Sequence, residues 1–225
     1  MIDVKGLVLY GANCTVEVWE KLKTHLEGEE LTYVAYPHEV TEHANGVEEI
    51  TKWVFDTYGK QQYDYIIGHS MGGIIGLELL SLYDMECKKV ILIESNLRPA
   101  ELFYRNLLTD THMEQYGEEV VAMIRGEAPF YSSQLKEALQ EEFDYTEHVK
   151  KLNVHKKDTR IFGIYGDRGV RKYERRLQDL CLDRETERKI TFSFIKDACH
   201  MPMLENPVEL AMCIREIIYE NGRRH

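Results

Sequence analysis

No apolar run in the 225 residues approaches the roughly 18 that a membrane helix requires, so no membrane span is expected. The chain also lacks a basic surplus. Against 39 Asp and Glu there are 28 Lys and Arg, a net charge of −11, whereas binders of nucleic acid and anionic membranes draw their affinity from the opposite balance. Nucleic acid is therefore not an expected partner. The opening residues MIDVKGLVLYG have neither the basic start nor the small-residue cleavage site of a signal peptide, which points to the cytoplasm. Cys14, Cys87, Cys181, Cys199 and Cys213 are odd in number with no C-x-x-C, so neither a disulfide framework nor a zinc knuckle is indicated. Cofactor fingerprints are missing too. Gly11-Ala12-Asn13-Cys14 offers one glycine where a dinucleotide site wants G-x-G-x-x-G, and there is no P-loop lysine. No metal or organic cofactor is expected.

What is present is ordinary globular composition, 44% hydrophobic and 30% charged, with the charges spread along the chain. At roughly 150 residues per domain, this length suggests one domain carrying an insertion. Short β-rich runs at 6–10, 31–36, 63–68, 89–94, 160–165 and 190–195 alternate with stretches of helical period at 16–27, 47–58, 71–83, 170–181 and 208–219. That rhythm predicts an α/β fold, a mostly parallel six-stranded sheet with helices on both faces. The last helix has the clearest start: Asn206 as cap, Pro207 in the first turn and Glu209 at capping-box spacing. The rhythm fails once, over 96–157, where helical pattern continues without a convincing strand. The reading is a core of 1–95 and 158–225 with a helical lid insertion at 96–157, because such insertions leave from strand ends where sites are built.

The sharpest local signal is Gly68-His69-Ser70-Met71-Gly72, a G-x-S-x-G where a buried strand gives way to a helix. A serine on so tight a turn takes strained backbone angles, and side chains two residues to either side would collide with neighbouring backbone. Glycine removes the collision. The turn projects the Ser70 hydroxyl, while the helix start aims the Met71 N–H at the same spot. Ser70 is the only one of six serines flanked in this way. Serine needs a base, and of nine histidines His200 follows the last strand by a short loop, leaving the same sheet edge as Ser70. Cys14 and Cys199 sit on no elbow and read as packing residues.

With GHSMGG at 68–73, Tyr10-Gly11-Ala12-Asn13 after the first strand and Cys199-His200-Met201-Pro202-Met203-Leu204-Glu205-Asn206-Pro207 before the last helix, the chain resembles the α/β-hydrolase superfamily over nearly its whole length. The resemblance implies Ser70 as nucleophile, His200 as general base and then acid, and the backbone N–H groups of Met71 and Ala12 as oxyanion hole. Three departures stand out. Tyr10-Gly11 replaces the usual His-Gly, the two antiparallel strands that often come first are missing, and Gly169 stands where the G-x-x-D turn would place the triad acid. Asp167, in the correct loop, is the expected acid, with Glu94 at the fourth strand tip as runner-up and Asp197 too local to His200 to reach its ring.

The implied activity is hydrolysis of a carboxylic ester of a small, largely apolar substrate through a Ser-His-acid triad and an acyl-enzyme. Thioesterase, lactonase and C–C hydrolase chemistry use the same constellation, and a small-molecule receptor or sensor with slow turnover stays open because of the unusual acid loop. A homo-oligomer is compatible with the sequence.

Overall fold

The computed structural model describes residues 4–140, 142–155 and 158–220. In chain order its elements are β1 (Lys5–Leu9), α1 (Glu20–His25), β2 (Glu30–Tyr33), α2 (His38–His43), α3 (Val47–Tyr58), β3 (Tyr65–His69), α4 (Met71–Ser81), β4 (Lys89–Ile93), α5 (Asp110–Glu127), α6 (Ser133–Gln140), α7 (Thr146–His155), β5 (Arg160–Gly166), α8 (Arg184–Glu187), β6 (Ile190–Ile195), α9 (Pro202–Glu205) and α10 (Pro207–Tyr219). The six strands form one parallel sheet in the order β2-β1-β3-β4-β5-β6. Strands covered on both faces read as unbroken apolar runs, and β3 and β4 do so: from Tyr65 to His69 and from Val90 to Ile93 every residue is buried. The strand order reverses between β1 and β3. A crevice opens there at the carboxyl ends of the strands, where ligands bind in sheets of this kind.

Helix α4 leaves β3 directly. Residues from Met71 to Leu80 are all buried, because the helix is sandwiched among the sheet, α3 and α7, and a helix without a polar face must be enclosed. Its one interior acid, Glu78, is satisfied by the Thr51 hydroxyl of α3 at 2.5 Å. At the chain's far end Asn206 caps α10 as expected, its Oδ1 accepting from the Glu209 N–H at 3.3 Å. The Glu209 carboxylate bonds the Asn206 side-chain amide at 2.7 Å and the Lys196 N–H at 3.0 Å, so it ties the β6 loop to the helix start instead of closing a capping box.

One expected helix is absent. Residues 170–181 run as turns with a single 3₁₀ turn at Gln178–Leu180. Lys172 and Cys181 adopt positive φ (56° each), which no helix tolerates. Buried Asp179 draws in the Tyr173 hydroxyl at 2.8 Å and the Arg175 guanidinium at 3.3 Å, and these contacts replace the helical ladder. Between β4 and β5 the segment 96–157 carries α5, α6 and α7, and its apolar residues do not form a core of their own. Leu135, Val149 and Leu152 are buried in the same cluster as the sheet residues Leu92 and Ile161. Among the described residues no helix is long and apolar enough to cross a membrane.

Candidate active site

Ser70 joins β3 to α4 with φ 52° and ψ −121°, a conformation held at a cost of order 1–3 kcal/mol by the structure around it. Its N–H donates to the Ile93 carbonyl at 2.9 Å, and its own carbonyl accepts from the Gly73 N–H at 3.0 Å. The flanking glycines are needed sterically. A Cβ on Gly68 would run into the Gly72–Gly73 backbone, and one on Gly72 into the Leu9 and Tyr10 carbonyls. Met71 opens α4, so its N–H is among those that a helix leaves without an intrahelical acceptor.

His200 lies in the loop between β6 and α9. Its N–H donates to the carbonyls of Leu107 (3.1 Å) and Asn106 (3.3 Å), and its carbonyl accepts from Nε2 of His69 at 2.8 Å. Because a carbonyl can only accept, the proton of neutral His69 is on Nε2. Burial, and secondarily the nearby His200, push the His69 ring down to about 3, so it stays neutral and serves as a fixed donor from the elbow to the base loop. Glu205 fastens the same loop: its carboxylate accepts from the N–H groups of Cys199 (2.6 Å) and Thr109 (2.8 Å).

The imidazole Nδ1 of His200 lies 3.6 Å from Oε2 of Glu94. Glu94, at the tip of β4, is fully buried with φ 49°. Its Oε1 accepts from the Gly166 N–H at 2.5 Å, and both oxygens receive the Arg168 guanidinium at 2.6 Å each. Burial works to raise its pKa, but the Arg168 charge, with hydrogen bonds from His200 and Arg168, brings it below the ordinary carboxylate value. Arg168 is itself buried, packed over the Tyr104 ring at 4.5 Å.

The expectation for Asp167 is corrected here. Its N–H pairs with Ile195 at 2.8 Å, and its Oδ1 accepts from the N–H groups of Gly169 (2.8 Å) and Asp197 (2.7 Å). The side chain is thus turned toward β6 and stitches two loops together. The structure brings Glu94, not Asp167, to His200. Asp197 likewise supplies a backbone N–H to this stitch, and its carboxylate sits 3.2 Å from Lys196.

Ser70, His200 and Glu94 share one cavity of about 280 Å³ with Ala12, Met71 and Ile74. Asn13, Asn96, Tyr131 and Phe143 also line it, and one face of α6 contributes Leu135, Lys136, Leu139 and Gln140. Burial pushes the thiols of Cys14 and Cys199 up to about 12, so both are protonated near neutral pH and behave as the packing residues expected. Among the described residues no three His, Cys, Asp or Glu side chains are grouped to hold a metal ion.

A sheet in this order, a strained serine between β3 and α4 and a histidine after β6 are what the family described as alpha/beta hydrolase fold would present, and that family matches residues 21–124. The chain has the α/β-hydrolase fold. Solved members of the fold superpose over nearly their full length. MenH from S. aureus is 12% identical with a TM-score of 0.71, covering 98% of this chain and 95% of that one. A thermophilic esterase from Thermogutta terrifontis is 14% identical with a TM-score of 0.66, covering 96% and 89%. The thioesterase domain from the curacin biosynthetic pathway is 14% identical with a TM-score of 0.63, covering 95% and 91%. No curated protein matches the chain in sequence. Three residues that shape this site escaped sequence reasoning. Arg168 stands unremarked beside Asp167, His69 reads only as the variable position of G-x-S-x-G, and Glu205 lies in the Cys199–Pro207 run without an assigned role.

Proposed function

We propose that this α/β-hydrolase is a serine esterase in which Ser70 is the nucleophile, His200 the general base and Glu94 the carboxylate that orients it. The observation that carries the reading is the joint placement of strained Ser70, His200, Ala12 and Met71 on one small cavity. With Nδ1 of His200 turned to Glu94, Nε2 is left for the serine. Ser70 Oγ attacks the ester carbonyl carbon as its proton passes to His200. The oxyanion is held by the Met71 and Ala12 N–H groups, and His200 returns the proton to the departing alcohol. Water, activated by the same ring, then cleaves the acyl-enzyme. Relatives of the fold include an esterase and a thioesterase, and the same steps serve a thioester.

One observation favours a slower machine. The Glu94 carboxylate is already gripped by Arg168 and Gly166, which weakens its hold on an imidazolium, and a receptor or sensor that turns over rarely fits such an acid. A fluorophosphonate probe with mass spectrometry decides between these readings. Labelling of Ser70, lost in Ser70→Ala, together with steady hydrolysis of 4-nitrophenyl butyrate is expected for the esterase. Labelling without turnover favours the sensor, and an unlabelled Ser70 sinks both.

A further inference from the structure

Helix α6 turns two adjacent stripes toward the cavity. Residues four apart stack on one helix face, so Leu135 sits over Leu139, and Lys136 over Gln140, and all four line the wall. An inward lysine is out of place on a helix whose neighbouring stripe packs into the core. Lys136 is half-buried and makes no ion pair among the described residues. The one carboxylate among the described residues lining the cavity, Glu94, is held bidentately by Arg168, so Lys136 leaves this wall locally cationic on a chain of net charge −11. The same cavity also holds two unsatisfied acceptors, which ask for a donor elsewhere on the ligand. The side-chain oxygens of Asn13 and Asn96, both on the cavity, are buried without a hydrogen-bond partner among the described residues. Polar groups shut from water without partners are costly, and an amide oxygen only accepts, so a hydroxyl or N–H of a ligand, and not its carboxylate, would satisfy them.

We propose that the cavity selects small substrates carrying one carboxylate beyond the scissile carbonyl, paired by Lys136, with the intervening carbons lying on Leu135, Leu139 and Ile74. This rests on the esterase reading above. A volume of about 280 Å³ falls at the small end for ligand pockets, which suits a half-ester of a short dicarboxylic acid.

The test compares 4-nitrophenyl hydrogen adipate with the same ester capped as its methyl ester. A charge-assisted contact at such a site predicts a kcat/KM ratio of about tenfold in favour of the free carboxylate. The ratio should fall toward one in Lys136→Met and shrink in 1 M salt. A wild-type ratio near one, or a preference that survives in Lys136→Met, overturns the proposal. If neither ester turns over and Ser70 fails to label, the esterase reading falls, and binding decides the Lys136 question alone. Adipate should raise the melting temperature of Ser70→Ala protein and leave that of the Ser70→Ala, Lys136→Met protein unmoved. Equal shifts, or none, overturn it.

Discussion

Glu94 and Asp167 leave the tips of neighbouring strands, and what separates them is register. Ile93 of β4 pairs with Ile164 of β5, so Glu94 stands beside Tyr165 and receives the Gly166 N–H, while Asp167 lies past the sheet's edge and turns toward β6. A sequence shows two acids in two adjacent loops; it does not show which carboxylate points along the sheet edge and which folds back. Arg168 was legible only as a charged turn residue, because its partner is 74 positions away. By contrast Ser70 and His200 were readable, since steric demand writes glycines around an elbow and strand order fixes which histidine shares its edge. The acid assignment is checked by paired variants. Glu94→Gln should lower kcat by at least about a hundredfold, the range in which amide-for-acid changes act in triads. Asp167→Asn, which weakens a loop stitch, should leave kcat within a few-fold and lower stability by about 1 kcal/mol. Steady-state kinetics beside denaturant melts separate the two, and a slowed Asp167→Asn with an unaffected Glu94→Gln would return the role to Asp167.

At the scale of elements, the buried strands and amphipathic α3 could be read because burial on both faces or on one leaves a distinct periodicity. The stretch 170–181 could not, since its conformation is set by Asp179 and by positive-φ residues that propensity does not reveal. The inserted helices were recognised as helical, but their anchoring was not. Helix α7 docks on α4 through a polar cluster in which the Ser81 hydroxyl meets Nδ1 of His148 at 2.7 Å and Nε2 of His148 lies 3.9 Å from Glu78. Burial pushes the Glu78 carboxyl up to about 7 and the His148 ring below its ordinary value. A raised carboxyl pKa means the folded protein keeps a proton that the unfolded chain releases above about 4.5. Its stabilising contribution is thus complete below that pH and lost as pH climbs through about 7. Glu78→Gln, which cannot ionise, should therefore gain melting temperature relative to wild type at pH 8 and not at pH 4.5. A gain equal at both pH values would show that Glu78 is not the titrating group at the α4–α7 contact.

Over the whole molecule, the site is an edge phenomenon of a sheet whose central strands are closed to water. Ser70, Glu94 and His200 come from three strand ends and are drawn together by ties that cross the chain: His69 to His200, Glu205 to Cys199 and Thr109, Arg168 to Glu94. Acid acts on these ties from the opposite direction to Glu78. His69 must take up a proton on unfolding between its ordinary value of 6.5 and about 3, so stability that is complete above pH 6.5 is lost as pH falls through that window.

The left-handed backbone at Ser70 carries a further consequence, for how this chain would drift if its chemistry were no longer needed. Glycine occupies φ 52° without the clash that a Cβ brings, so Ser70→Gly should melt higher than wild type, whereas Ser70→Ala, which keeps the Cβ, should not. Differential scanning calorimetry of the three proteins reads this directly, and a Ser70→Gly protein no more stable than Ser70→Ala would show that the turn is relaxed. If the gain is found, the nucleophile is the position at which durability and turnover pull apart. Selection for robustness alone would erase it early, and its persistence in a chain would then be a mark of use.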